Sequence, residues 1–334
     1  MTVKLGINGF GRIGRLVLRA ALETDGVEVV GLNDLASNDA LALLFKYDST
    51  HGPFKGEVSA SAEGITINGK LIPVSEEKDP ANLPWAKLGA QVVCESTGFF
   101  SKKADAAKHI TAGAKKVIIS QPSPDADKMI VMGVNDKEYD PASHDVVSNA
   151  SCTTNSLAPA VKVLNDNFGV EHGLMTTVHS YTNDQRILDQ IHKDPRRARA
   201  GAVNIIPTKT GAAAAIGKVI PALNGKLDGY ALRVPTPNVS ATDFTVQLSK
   251  DASAADVNAA LKAAAEGELK GIMGYSEEPL VSSDYNHCPL SSIVDSLSTK
   301  AMAGGFVKLL LWYDNEWGYS CRCIDLAKLM AKSL

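Results

Sequence analysis

Asn8-Gly9-Phe10-Gly11-Arg12-Ile13-Gly14 follows a short β-like run, Val3 to Asn8, and leads into Arg15 to Leu22, where Leu16, Leu18 and Leu22 carry a helical rhythm. Strand, G-x-G-x-x-G and helix in that order form the setting in which this motif signals a dinucleotide site. Gly9 permits the tight turn, Gly11 lets backbone approach a pyrophosphate, and Gly14 packs helix on strand. The pyrophosphate would rest on the helix N-terminus, against the backbone N–H groups of Arg12 and Ile13. A second strand, Val27 to Asn33, ends at Asp34, 20 residues beyond Gly14. There such a fold places the acid that holds the adenosine ribose hydroxyls. A glycine-rich surface turn beside an ordinary aspartate would need no such register.

Outward from this turn the chain alternates. Ile65-Thr66-Ile67 and Leu71 to Val74 flank an Asn68-Gly69 hairpin turn. Gln91 to Glu95 and Lys116 to Ser120 read as strands, and Ala104 to Ala112 as a helix ended by Gly113. Alternating strands and helices imply a Rossmann-type, doubly wound parallel sheet, with cofactor across the carboxyl ends of its strands. Thr97 and Ser120, each just after a strand, are either groups on the nicotinamide side or loop residues with no ligand. Beyond residue 152 the pattern shifts to long strands, at Gly173 to Tyr181, Gly229 to Arg233, Thr242 to Leu248 and Phe306 to Tyr313. Helices are expected at Ala212 to Ile220 and Ala254 to Leu269, and after the run Asp314 to Tyr319 a final helix to about Leu334.

The 334 residues suit two domains, and 45% hydrophobic residues suffice for two cores. A net charge of -3 gives no reason to expect nucleic acid as a partner. No apolar run approaches the roughly 20 residues that span a bilayer, so no membrane role is expected. Met1-Thr2-Val3-Lys4-Leu5 lacks the character of a signal peptide. Five cysteines without C-x-x-C spacing argue against a disulfide framework or a metal site. These features point to a cytoplasmic protein.

Cys152, in Ser148-Asn149-Ala150-Ser151-Cys152-Thr153-Thr154-Asn155-Ser156, stands where a helix should begin after a strand ending at Ser148, with Ser151 as N-cap. The helix dipole and free N–H groups there favour thiolate, predicting a pKa below about 8.5. Polar neighbours argue against an inert buried thiol. Pro159 lies inside the apolar spacing of Leu157, Val161 and Leu164 and predicts a kink. His179 lies on a polar strand, Thr177-Val178-His179-Ser180-Tyr181-Thr182. A lone strand histidine is usually structural, but beside Cys152 it would form a thiolate–imidazolium pair and move protons. The loop Thr182 to Gly201 carries Arg186, Lys193, Arg196, Arg197 and Arg199, which form a solvated face, a seat for phosphate or a contact with another subunit. Thr208-Lys209-Thr210-Gly211 precedes the expected helix at Ala212 and offers a second anion seat. Together these groups suit oxidation of an aldehyde through a hemithioacetal and an enzyme-bound thioester, with inorganic phosphate as acyl acceptor.

Five stretches carry a resemblance: Asn8 to Arg15, Ser151 to Asn155, His179 to Gln185, Arg233-Val234-Pro235-Thr236-Pro237 and Trp312 to Tyr319. In that order they closely resemble the phosphorylating glyceraldehyde-3-phosphate dehydrogenases, over residues 3 to 330. The resemblance implies an N-terminal Rossmann-type domain, 1–150, completed by 316–334, and an α+β catalytic domain, 151–315, with a mostly antiparallel sheet. It implies Cys152 as nucleophile and His179 as acid/base. Ser151, Thr153, Thr210 and Gly211 match the inorganic-phosphate side. Thr182 and Arg233 match the seat for the substrate's phosphate, and Arg197 a further phosphate contact. Arg12, Ile13, Asp34, Lys78 and Ser120 match cofactor contacts, with Lys78 where many bacterial members have Arg. Asn315 matches the residue that orients the nicotinamide carboxamide.

The implied reaction converts D-glyceraldehyde 3-phosphate, NAD and inorganic phosphate to 1,3-bisphosphoglycerate in a homotetramer. Asp34 should repel a 2′-phosphate, and Leu35 to Asn38 contains no arginine to receive one. Gln190-Ile191 replaces the Leu-Pro pair of strictly NAD-dependent bacterial members and leaves NADP use open. An erythrose-4-phosphate dehydrogenase, with water as acyl acceptor, is the nearest rival.

Overall fold

The structure, a computed structural model, describes residues 2–334 as two compact units. The first takes in the chain to Ile130, Glu138–Ala150 and Ser320–Leu334; the second comprises Val131–Lys137 and Ser151–Tyr319.

In chain order the first unit holds β1 Val3–Asn8, α1 Arg12–Leu22, β2 Val27–Asn33, α2 Asn38–Lys46, β3 Val58–Ser61, β4 Gly64–Ile67 and β5 Lys70–Ser75. There follow α3 Trp85–Leu88, β6 Val92–Glu95, α4 Lys103–Ala106, α5 Lys108–Thr111, β7 Lys116–Ile119, β8 Lys128–Met129 and β9 Val146–Ser148. The sheet order is β3-β4-β5-β2-β1-β6-β7-β9-β8. Pairing is parallel from β5 to β8, and only the β3-β4-β5 edge is antiparallel. Every residue of β6, β7 and β9 is buried, as expected of parallel strands covered on both faces. Asn68 and Gly69, at φ 50° and 80°, make the β4–β5 turn, the backbone of a type I′ hairpin. The helix expected over Ala104 to Ala112 forms instead as α4 and α5. Ile110 N bonds to Ala107 O, three residues back at 2.9 Å, so the chain tightens there and does not continue one α-helical ladder.

The second unit holds α6 Cys152–Phe168, β10 Val170–Ser180, β11 Ile206–Lys209, α7 Ile216–Val219, β12 Leu227–Val234, β13 Ser240–Leu248 and α8 Ala254–Glu266. It continues through β14 Met273–Ser276, β15 Ser292–Asp295, β16 Lys300–Met302 and β17 Phe306–Tyr313, and begins α9, Trp317–Ala331. Its sheet runs β11-β12-β10-β13-β17-β15-β14, with β16 on β17. Parallel pairing is confined to β10–β12 and β14–β15; the other pairs are antiparallel. Helix α6 packs against β13, β15 and β17, and the fully buried Phe244, Leu309 and Leu311 belong to this core. The helix continues through Pro159 to Phe168.

One expected helix is mostly missing. Residues 212–215 form turns, and only the four residues of α7 are helical. Gly217 approaches the backbone so closely that a Cβ would lie 2.7 Å from the Asn224 Cα, and Pro221 stops the segment. The anion seat predicted at the start of a full helix is therefore not built that way.

Candidate active site

The glycine turn of the first unit is dictated by backbone sterics. Gly9 has φ 88°, and a Cβ there would stand 2.6 Å from Thr97 N. A Cβ on Gly14 would stand 2.0 Å from Gly9 O. A Cβ on Gly11, by contrast, would meet nothing within 4 Å. Gly11 also caps α1 without a side-chain hydrogen bond, and no acidic residue lies in the first turn, which Arg12 and Ile13 open. Open space before a helix start without a side-chain cap leaves backbone N–H groups that can receive an anion.

Asp34 sits just beyond β2, where its Oδ2 accepts from Phe10 N at 2.7 Å and its Oδ1 from Ala36 N at 3.1 Å. The acid and the glycine turn are thus hydrogen-bonded to each other. Arg12 Nη1 is held by Asp48 at 2.6 Å. Asp48 also accepts from Thr50 N and His51 N; these bonds and Arg12 outweigh the burial that opposes them and bring its pKa down to about 2. Thr97 donates through N and Oγ1 to Glu95 Oε1, and Ser120 N donates to Glu95 O at 3.0 Å. Lys78 is exposed in the loop after β5. Asn33 pins that loop to the end of β2 by pairing with the Glu77 backbone at 2.9 Å in both directions.

The thiol site of the second unit is built from side chains far apart in sequence. Ala150, at φ 55°, turns the chain just before α6. Ser151 caps the helix, its Oγ accepting from Thr154 N at 3.0 Å. Cys152 Sγ then lies 3.5 Å from His179 Nε2, near the end of β10. Arg233, opposite His179 on the parallel neighbour β12, brings Nη1 to 2.7 Å from His179 Nδ1 and donates to Ser180 O at 3.0 Å. His179 Nδ1 is also 2.7 Å from Ser180 O. Arg233 Nε is buried with no hydrogen-bond partner among the described residues. Tyr313 OH lies 2.8 Å from both Thr153 Oγ1 and Thr177 Oγ1, and burial pushes its pKa up.

Burial acts on the pair in a way that differs from the sequence expectation. It pushes the Cys152 thiol up, against the pull of Arg233, of Thr153 and of the helix-terminal N–H groups. Burial, with the Arg233 cation second, lowers His179 to about 3. Both directions favour a thiol beside a neutral imidazole over the expected ion pair, because taking charge out of water opposes the helix terminus.

The remaining predicted residues lie further along the second unit. Arg197 donates from Nε to Thr208 Oγ1 at 2.9 Å and pairs with Asp184. Thr182 exchanges hydrogen bonds with Gln185, through Thr182 N to Oε1 at 3.2 Å and Gln185 N to Thr182 O at 2.9 Å. Thr210 Oγ1 accepts from Ala212 N at 3.2 Å, and a Cβ on Gly211 would meet nothing within 4 Å. Asn315 follows β17 and is buried.

Residues 3–103 match the family described as "Glyceraldehyde 3-phosphate dehydrogenase, NAD binding domain", and residues 151–315 match its "C-terminal domain". The chain belongs to the glyceraldehyde-3-phosphate dehydrogenase family. It is 63% identical over 332 residues to "Glyceraldehyde-3-phosphate dehydrogenase 1" of Bacillus subtilis, covering 99% of both chains. Identity is 60% over 331 residues to "Glyceraldehyde-3-phosphate dehydrogenase" of Geobacillus stearothermophilus, again with 99% of each covered. It is 54% over 333 residues to that of Escherichia fergusonii, with 99% of this chain and 100% of the relative covered.

Within this family frame, several contacts at the site were not read from sequence. Asp184 was in view only as part of the run from His179 to Gln185, and Tyr313 only as the end of a strand and a member of the stretch Trp312 to Tyr319, with no role given to either. Asp48 lies 36 residues from Arg12, with no spacing rule to connect them. The one available signal was composition: an acid in an arginine-rich loop is a ready partner for that loop's guanidinium groups.

Proposed function

We infer that this member of the family oxidises D-glyceraldehyde 3-phosphate with NAD and inorganic phosphate to 1,3-bisphosphoglycerate. The carrying observation is a thiol at a capped helix start, 3.5 Å from an imidazole that in turn lies 2.7 Å from a guanidinium with one unpartnered buried N–H. NAD, when bound, supplies the hydride acceptor. Gly9, Gly11, Arg12, Ile13, Gly14, Asp34, Lys78, Thr97 and Ser120 hold it, in a dinucleotide-binding domain of residues 1–150 completed by 316–334. Asn315, from the catalytic part 151–315, holds its carboxamide. The open space at Gly11 fits the pyrophosphate, and the Asp34 carboxylate favours ribose hydroxyls over a 2′-phosphate.

The chemistry begins with proton transfer from Cys152 to His179 Nε2. The sulfur adds to the aldehyde carbon, and Nε2 returns its proton to the oxygen, giving a hemithioacetal. Nε2 then takes the hydroxyl proton back as hydride leaves the carbon, and the carbonyl re-forms as a thioester. Inorganic phosphate, seated by Ser151, Thr153, Thr210 and Gly211, attacks that carbon and expels the Cys152 thiolate. Arg233, Thr182 and Arg197 hold the substrate's own phosphate.

Arg233 also adjusts the base. Nδ1 cannot donate to Ser180 O while accepting from Arg233, and only the Nδ1–H tautomer leaves the Nε2 lone pair facing the thiol. A substrate phosphate that draws Arg233 away favours that tautomer and relieves the cation's depression of imidazole basicity. Ile187, Leu188 and Ile191 are 84%, 76% and 92% exposed on the loop after β10. Such apolar exposure supports burial between subunits of a homotetramer, and we assign the enzyme to the cytoplasm. The test is NADH formation from glyceraldehyde 3-phosphate with and without phosphate. Sustained turnover only with phosphate is expected; equal turnover without it would contradict the phosphorylating assignment.

A further inference from the structure

Ser240, at the start of β13, is 1% exposed. Its Oγ accepts from Ser180 N at 3.1 Å and donates to Asn315 Oδ1 at 2.8 Å. A hydroxyl has one hydrogen to give, and these are the partners of Ser240 Oγ among the described residues. Turning the Asn315 amide over would place its NH2 against Oγ and strand the buried Ser240 O–H without an acceptor, an unfavourable arrangement. The amide is therefore held one way round, with Oδ1 on Ser240. Asn315 Nδ2 makes no hydrogen bond to any of the described residues, so its hydrogens remain available. The support is itself braced: Asn238, two residues before Ser240, donates to Asp314 Oδ2 at 2.8 Å. Asp314 Oδ2 also accepts from His287 N at 2.7 Å.

We propose that Ser240 is a positioning residue for the nicotinamide end of the cofactor: by fixing the Asn315 amide, it presents a donor, never an acceptor, to the carboxamide. A donor selects the carboxamide oxygen over its NH2, and so selects one of the two ring orientations related by rotation about the glycosidic bond. The proposal rests on the reading that Asn315 meets the carboxamide, and its test separates the two.

Calorimetry of NAD and of ADP-ribose, which lacks nicotinamide, is run on the wild-type protein, Ser240→Ala, Ser240→Thr and Asn315→Ala. Ser240→Ala should weaken NAD by about 5- to 30-fold, the worth of one oriented hydrogen bond, while leaving ADP-ribose within about twofold. Ser240→Thr, which keeps the hydroxyl, should restore NAD binding. Deuteride transferred from 1-deuterated aldehyde should enter one face of nicotinamide in the wild type and both faces in Ser240→Ala, as read by proton NMR. Equal weakening of NAD and ADP-ribose, or no change in either, overturns the proposal even where Asn315→Ala weakens NAD alone. If Asn315→Ala leaves NAD binding intact, the underlying Asn315 reading falls and takes the proposal with it. The rate of Cys152 alkylation reports whether Ser240→Ala keeps the local fold; where it does not, Ser240→Cys, near in shape and a weak donor, carries the same test.

Discussion

The glycine turn of the first unit and the thiol site of the second are built by opposite means. The turn works by what is missing: no Cβ at Gly9, Gly11 or Gly14, and no side-chain cap on α1. The thiol site works by what is gathered, with Cys152, His179, Arg233 and Tyr313 brought together from α6, β10, β12 and β17. A turn made of absences is damaged by adding atoms. A site made of side chains loses its chemistry by subtraction, while its neighbour should go on binding.

The sharpest break of that comparison is Cys152→Ala. Reduction of NAD should fall by about 10⁴-fold or more, the scale of removing a nucleophile, with NAD affinity by calorimetry within about twofold. Substantial turnover in the variant would mean the thiol is not the nucleophile. His179→Ala should slow the first turnover by about 10²–10⁴-fold, again with NAD binding retained; an undiminished burst in stopped flow would leave His179 a structural residue.

Gly11→Ala tests the other side. The methyl meets no protein atom within 4 Å, so the melting temperature and Cys152 alkylation should hold. NAD affinity should fall by about 5- to 150-fold, as overpacking costs about 1–3 kcal/mol. Unchanged affinity would move the pyrophosphate away from Gly11. The smallest effect expected is a pH shift. The Arg233 cation lowers the thiol pKa, so Arg233→Gln should raise it and move the alkylation-versus-pH curve of Cys152 to higher pH. A shift to lower pH would mean that Arg233 does not face the thiol.

The same contrast explains what could be read in advance. The first unit was legible because its rules are local: glycine spacing, an acid at the end of β2, the Asn68-Gly69 turn and continuous apolar strands. The start of α6 was legible for the same reason, since Ser151 caps the helix it was expected to cap. The helix from Ala212 was not, because alanine content favours a helix while the close approach of Gly217 to Asn224 is a tertiary fact. Nor was the protonation of Cys152 and His179. A helix terminus is visible in sequence, but the burial that opposes it depends on a helix and a strand meeting over more than 150 residues of chain, as in the bond between Thr153 and Tyr313.

The most direct test of the gathered thiol site is intact-protein and peptide mass spectrometry of the enzyme mixed with NAD and glyceraldehyde 3-phosphate without inorganic phosphate. The account predicts a phosphoglyceroyl group on the peptide carrying Cys152, formed with about one NADH per subunit and discharged when phosphate is added. NADH formation with the acyl group on another residue, or with no acyl-enzyme at all, would contradict it.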